Sequence, residues 1–374
     1  MKSAYTLKIQ LVYNYAQHYR EDIFLLMDHI FQVDFLFGKK LGDIKEMDTS
    51  KLHGEVRKVD YYRWHGLWWQ RGVLTMDVKP YDTFIMLGQP RNLSSWLFYM
   101  RLRLFHPRKK LYFWSHGWYG KESRLEKMVK KVFFRLPNGG TFLYGHYARN
   151  LMIKEGFNPD KLFVIHNSLA YDKQLALREK LQKDSIYQDH FGNDNPNLFF
   201  VGRLTRIKQL DMALKALQKC KDLGYDFNLT LIGDGMAKDE LMVLTEELGL
   251  MDRVWFYGAC YDEAELGKMI YNADLCVSPG NVGLTAMHSM VFGTPVITHN
   301  DFPHQMPEFE AIHEGVTGGF FEYGSIDSLT NSIVKWFAEH EGQRGVVRQA
   351  CYNEIDTEWT PKFQIEVLKK VLNA

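Results

Sequence analysis

Ser278-Pro279-Gly280-Asn281-Val282-Gly283-Leu284-Thr285-Ala286-Met287-His288-Ser289-Met290, followed closely by Gly293-Thr294-Pro295-Val296-Ile297, decides how this 374-residue sequence folds. The apolar residues 275–277 read as a strand and the Pro/Gly/Asn run as a loop. Residues 284–292 read as a short helix, after which Gly293 returns the chain to a strand at 295–298. Strand, helix and strand joined this closely imply a crossover in a parallel sheet. Amide groups at the start of the helix, around Gly283 and Leu284, are suited to phosphate or sugar oxygens. His288 lies four residues after Leu284 and seven after Asn281, so it shares the loop-proximal face of the helix; a hydrogen-bonded, partly buried histidine fits that position equally well.

Working outward, the same alternation continues. Strands are predicted at 198–201, 228–232 and 254–257, with helices at 209–223, 238–248 and 263–272. The first of these strands runs into Gly202-Arg203-Leu204-Thr205-Arg206-Ile207-Lys208. Gly202 permits a sharp turn, while Arg203 offers a forked donor set and Lys208 a point charge to a diphosphate; three solvated loop cations would look the same. Gly233-Asp234-Gly235 follows the next strand and needs no more than a turn to explain it. In open parallel sheets ligands bind beyond the carboxyl ends of the strands, which is where these loops fall.

The first half repeats the pattern less cleanly. Strands are predicted at 8–12, 33–37, 83–87, 110–114, 141–144 and 162–165, with helices at 20–29, 94–105, 122–134 and 147–155. Residues 183–196 turn polar and lose periodicity, as a linker would. The expected division is therefore 1–185, 186–355 and a C-terminal helix within 356–374, whose apolar stripe includes Phe363, Val367 and Val371.

Composition narrows the function. A net charge of +1 gives no basic surplus for nucleic acid. Cys220, Cys260, Cys276 and Cys351 lack metal-ligand or disulfide spacing. The opening apolar run, within residues 1–14, is too short for a signal-peptide core, and no stretch approaches the roughly 20 apolar residues of a membrane span, which points to a cytoplasmic protein. Between residues 91 and 150, however, Lys and Arg outnumber Asp and Glu by 13 to 2, interleaved with aromatic residues. That composition suits peripheral contact with an anionic bilayer, at the inner face of the plasma membrane, or with a diphosphate-linked lipid; a solvated helix face would share it. The many tryptophans of this half, Trp64 to Trp118, read first as core.

Taken in order, strand-Gly-Arg-Leu-x3-Lys, strand-Gly-x-Gly, Ser-Pro-loop-Gly-Leu-helix-Gly-x-Pro-Val-Ile, Pro307-Glu308 and Gly315-x-x-Gly318 resemble the donor domain of glycosyltransferase family 4, the group 1 enzymes. The resemblance is strong over 198–337 and fainter before. It implies an α/β GT-B fold: two Rossmann-like parallel-sheet domains facing a central cleft, with the C-terminal helix packing back towards the first domain. It also implies a nucleotide diphosphate sugar donor, UDP or GDP, with no metal. Gly202, Arg203 and Lys208 would hold the diphosphate, and Gly283 and Leu284 phosphate or sugar. The family carries Glu-x7-Glu here, and alignment places Gly280 and His288 at the two carboxylate positions. His288 could still bond a ribose hydroxyl and Asn281 a sugar hydroxyl.

In the first half, Tyr112-Phe113-Trp114-Ser115-His116-Gly117-Trp118 ends a strand where the family places a histidine beside donor sugar and acceptor, which makes His116 a catalytic candidate with Arg203 and Lys208. Asn167 resembles a residue near the family's cleft, and the first loop, 13–20, resembles members with a His-Tyr-Arg step facing the acceptor. The function implied is retaining sugar transfer to a glycan or lipid-linked saccharide, in surface or capsular polysaccharide assembly. A non-catalytic nucleotide-sugar or glycan-binding module and a nucleotide-sugar epimerase are the alternatives.

Overall fold

A computed structural model describes residues 7–39 and 45–372. The start of the opening apolar run and the last two residues of the expected terminal helix lie outside the described residues. The chain forms two units, Met1–Ala170 with Pro361–Ala374, and Tyr171–Thr360.

Among the described residues, nine strands belong to the first unit: β1 (Lys8–Tyr13), β2 (Gln32–Gly38), β3 (Val56–Val59), β4 (Tyr61–Trp64), β5 (Leu67–Gln70), β6 (Thr83–Leu87), β7 (Lys110–Ser115), β8 (Gly140–Leu143) and β9 (Leu162–Val164). Seven of them make a parallel sheet in the order β3-β2-β1-β6-β7-β8-β9, while β4 and β5 form a separate antiparallel hairpin. Apolar side chains cover both faces of the sheet, as near-continuous apolar strands require. On one face Phe24 and Met27 of the Glu21–Ile30 helix meet Phe35 and Trp114. On the other, Phe98 and Leu102 of the Leu93–Phe105 helix and Phe133 of the Arg124–Phe133 helix meet Phe84 and Phe113. Trp114 and Trp118 are core residues, whereas Trp64, at the end of β4, is 71% exposed.

The C-terminal helix, Pro361–Leu372, belongs to this unit and sends Ile365 and Leu368 into the Phe24 cluster. Its buried Gln364 accepts from the Ser168 hydroxyl at 2.6 Å and donates to the His166 carbonyl at 2.9 Å. Because the amide satisfies both groups, it fixes the helix in rotation as well as depth.

The second unit holds β10 (Asn197–Val201), β11 (Asn228–Ile232), β12 (Val254–Gly258), β13 (Leu275–Ser278), β14 (Val296–His299) and β15 (Gly318–Phe321). They form one parallel sheet in the order β12-β11-β10-β13-β14-β15. This is the doubly wound order, in which connections leave in opposite directions from the first and fourth strands and open a crevice between them. Here those strands are β10 and β13, with Phe199 beside Cys276. The polar stretch 183–196 is not structureless: it contains a short helix, Ile186–Phe191, anchored by buried Tyr187, whose hydroxyl donates to the Met269 carbonyl at 2.7 Å. With a single buried side chain, that helix left no periodic signal.

Candidate functional site

In the second unit the loops after β10 and β13 meet at the switch point, and backbone packing shapes them. Gly233 is at φ 153°, where a Cβ would stand 1.8 Å from the Gly202 carbonyl oxygen, so the Gly-x-Gly after β11 is needed for close contact with the β10 loop and not merely for its own turn. Gly280 donates its amide to the Lys208 carbonyl at 2.9 Å, and a Cβ there would lie 2.1 Å from the Ile207 carbonyl oxygen. The 206–208 turn therefore occupies the space that a carboxylate side chain at position 280 would need.

The three cations of the β10 loop separate by environment. Arg206 is spent on Glu240 at the surface. Lys208 is half-buried and donates to the Asn281 carbonyl at 2.6 Å and to its Oδ1 at 2.8 Å. Burial pushes the Lys208 pKa down to about 8, against the pull of the nearby Glu308 carboxylate; Arg203 adds to the depression. Arg203 is exposed and forms no hydrogen bond or ion pair with a described residue. Of the three, it alone is a fork of donors with nothing to bind.

The Leu284–Val291 helix begins against this cluster. Lys208 Nζ lies 3.9 Å from where a Cβ on Gly283 would sit, and the Thr285 hydroxyl donates to the Val201 carbonyl at 2.8 Å, tying the helix start to the end of β10. The amides of Gly283, Leu284 and Thr285 donate to no described residue, as expected of a helix's first turn. Val282 N donates at 2.9 Å to Gln305 Oε1, and Gln305 is held in turn by Thr298 and the His299 carbonyl. The arrangement combines a point charge, a free guanidinium and open amides at one helix N-terminus, the chemistry of an anion cradle.

Asn281 is thus already engaged through its oxygen, which leaves its NH2 for another partner. His288 is partly exposed, with Nδ1 3.5 Å from Gln174 Nε2; Gln174 also donates to Glu263 at 3.2 Å. Gln174, Gln305 and Glu308 carry this site and were not assigned to it from sequence. Each is 20 or more positions from the residue it supports, so no local pattern marks it; only the Pro307-Glu308 pair gave a signal, as part of an ordered motif.

The first unit builds its strand ends differently. His116 follows β7, with its ring 4.7 Å from that of Tyr144 and 5.9 Å from that of Tyr119. Burial, with the Arg20 and Lys130 cations nearby, pushes its pKa down to about 4, so at neutral pH it is an uncharged imidazole; its Nδ1 has no hydrogen-bond partner among the described residues. Arg20, from the first loop, is buried against the ring faces of Tyr13, Tyr19, Trp114 and Tyr144 and donates to the Tyr144 hydroxyl. Among the described residues its Nε and Nη1 find no acceptor and no carboxylate neutralises it. Asn167 is buried after β9.

The strand order of the second unit is that of a doubly wound sheet of the Rossmann type, with an arrangement suited to anions at its switch point. Residues 182–350, most of the second unit, match the family of group 1 glycosyl transferases. An uncharacterised glycosyltransferase of Methanocaldococcus jannaschii is 32% identical over 146 residues, 37% of this chain and 36% of that protein. 2-Deoxystreptamine glucosyltransferase of Streptomyces kanamyceticus is 30% identical over 177 residues, 46% of this chain and 45% of that one. A protein of the Klebsiella pneumoniae cps region is 27% identical over 176 residues, with the same coverage of 46% and 45%. The chain thus spans less than half the length of these relatives. Among solved structures, Anabaena HepE in complex with UDP superposes with a TM-score of 0.72 at 17% identity, over 98% of this chain and 100% of that one. The fold is GT-B, with two Rossmann-like domains.

Proposed function

We propose that this protein transfers a sugar, with retention of anomeric configuration, from a nucleotide diphosphate sugar carrying UDP or GDP to an acceptor hydroxyl. One observation carries the reading: Lys208 stands beside the open amides of 283–285 at the start of the Leu284–Val291 helix, and the unpaired Arg203 is near enough for its charge to act on Lys208. As the glycosidic bond breaks, negative charge grows on the departing diphosphate, and preorganised cations and amides stabilise it without reorganisation. No carboxylate is available at position 280 as a nucleophile. The acceptor therefore attacks from the face the diphosphate leaves, and a departing phosphate oxygen takes its proton.

His288, steadied by Gln174, replaces a carboxylate in bonding the ribose hydroxyls, and the Asn281 NH2 reaches a sugar hydroxyl. His116, neutral at pH 7, acts on the acceptor as a hydrogen-bonding group. The acceptor is a glycan or lipid-linked saccharide, and assembly of a surface or capsular polysaccharide is supported by the similarity to the cps-region protein. No step of this reading draws on a metal, so EDTA is expected to leave the rate unchanged.

Arg203→Ala and Lys208→Ala are each expected to lower turnover at least about 100-fold in a panel of UDP-, GDP-, ADP- and TDP-sugars; unchanged turnover removes the diphosphate assignment. A rise in thermal midpoint with one donor identifies its base. Binding without product in every acceptor arm makes the protein a non-catalytic module, and epimer formed without acceptor makes it an epimerase.

A further inference from the structure

The Leu93–Phe105 and Arg124–Phe133 helices flank β7 in sequence and pack on the same core cluster, with the Trp96 ring 5.1 Å from the Phe133 ring and Arg91 3.8 Å from Glu126. They lie side by side on one face of the first unit's sheet. A helix in such a layer ordinarily turns its apolar stripe inward and its charges to water.

The Arg124–Phe133 helix does the reverse. Leu125, Met128, Val129 and Val132, spaced i, i+3, i+4 and i+7, form a stripe that is exposed, to 67% at Leu125. Its lysines instead reach protein carboxylates: Lys127 and Lys131 pair with Glu155, and Lys130 with the buried side chain of Glu122. The neighbouring helix repeats the feature, with Leu97, Met100 and Leu104 at i, i+3 and i+7 and Phe105 beside them, all exposed, to 74% at Leu104 and 72% at Phe105. Two adjacent apolar stripes on the outside of a soluble layer mark a surface made to be covered.

Charge identifies the cover. Residues 91–135 contain 12 Lys and Arg against 2 Asp and Glu. Arg108, Lys110, Lys121, Arg124 and Arg135 are exposed and form no ion pair with a described residue. A second copy of the chain would set two such basic faces against each other, because a two-fold contact uses the same patch twice. We propose that this face docks on an anionic lipid bilayer, with the two apolar stripes at the boundary of headgroups and acyl chains and the arginines and lysines among the headgroup phosphates. The argument stands on the first unit alone and is independent of the donor chemistry.

Flotation of the full chain with phosphatidylcholine vesicles, with and without phosphatidylglycerol, tests it. Binding to the anionic vesicles is expected to exceed that to the neutral ones by about tenfold and to fall in high salt. Leu104→Glu with Val132→Glu, both exposed, is expected to lower it about tenfold while the thermal midpoint and its shift with UDP stay as in the wild type. If that variant melts early, Arg108→Glu with Lys121→Glu replaces it, with the same loss expected. No binding to either vesicle, or binding that both variants leave unchanged, overturns the proposal. So does a wild-type dimer in light scattering that Leu104→Glu with Val132→Glu converts to monomer without any vesicle binding, which would assign the face to a second copy.

Discussion

The loops at the strand ends of the two units both hold a cation out of water, and they do so by opposite means. In the second unit Lys208 is held by the carbonyl and side-chain oxygens of Asn281, inside a framework set by backbone contacts at Gly233 and Gly280. In the first, Arg20 is held by four aromatic ring faces and a tyrosine hydroxyl, with two of its nitrogens unsatisfied among the described residues. Oxygen ligands fix an ammonium in position and depend on loop geometry. Ring faces tolerate a guanidinium from any in-plane direction and depend on side-chain packing. The first framework should therefore fail when backbone is displaced, the second only when volume is lost.

Gly233→Ala should break the contrast most severely. Its Cβ would stand 1.8 Å from the Gly202 carbonyl oxygen, and the loss of stability in chemical denaturation is expected at roughly 3 kcal/mol or more. A loss under about 1 kcal/mol would mean that the two loops separate freely.

Next in size is the pH dependence of UDP binding. The Lys208 pKa is lowered from 10.5 to about 8, so its ammonium is lost as pH rises through about 8. Affinity should then fall by up to about tenfold per pH unit in calorimetry, and Lys208→Arg, charged throughout, should abolish the break. Stability moves the other way. Between about 8 and 10.5 the unfolded lysine holds the proton that the folded one has released, so the ligand-free protein gains stability with rising pH across that window.

Arg20→Met should shift stability by less than about 1 kcal/mol and not downward, since a similar volume replaces a charge that lacks an acid partner among the described residues. A larger loss would show that the ring faces contribute more than the unsatisfied nitrogens cost. Smallest of all, Arg206→Ala should leave UDP affinity unchanged and alter stability by under about 0.5 kcal/mol, because its partner is the exposed Glu240. A fall in affinity matching that of Arg203→Ala would return Arg206 to the cradle.

The same contrast explains what could be read from sequence. Glycine at 202, 233 and 280 and the cations at 203 and 208 sit next to strands whose every residue is buried, so motif and element announce each other. Arg20 is different: Trp114, in β7, and Tyr144, just after β8, lie 94 and 124 positions away, and nothing near residue 20 announces them. Two of the elements that escaped prediction fail for a related reason. In the β4–β5 hairpin only Gln70 is buried, so neither strand shows an alternating pattern. Helix 186–191 has one buried anchor. The basic run at 91–150 was visible as composition, but the outward turn of Leu125, Met128 and Val132 was not, since a sequence stripe does not reveal which way it faces.

The filled space at position 280 couples two parts of the chain, so that neither can change alone. A glutamate cannot enter there by a single substitution while the 206–208 turn keeps its course, because its first side-chain atom would meet the Ile207 carbonyl oxygen. Any route to a carboxylate at this position must begin in the β10 loop, at residues that also carry Lys208. The order of changes is therefore constrained: the turn has to withdraw first, and the lysine's grip on Asn281 would be lost before a new acid could take its place.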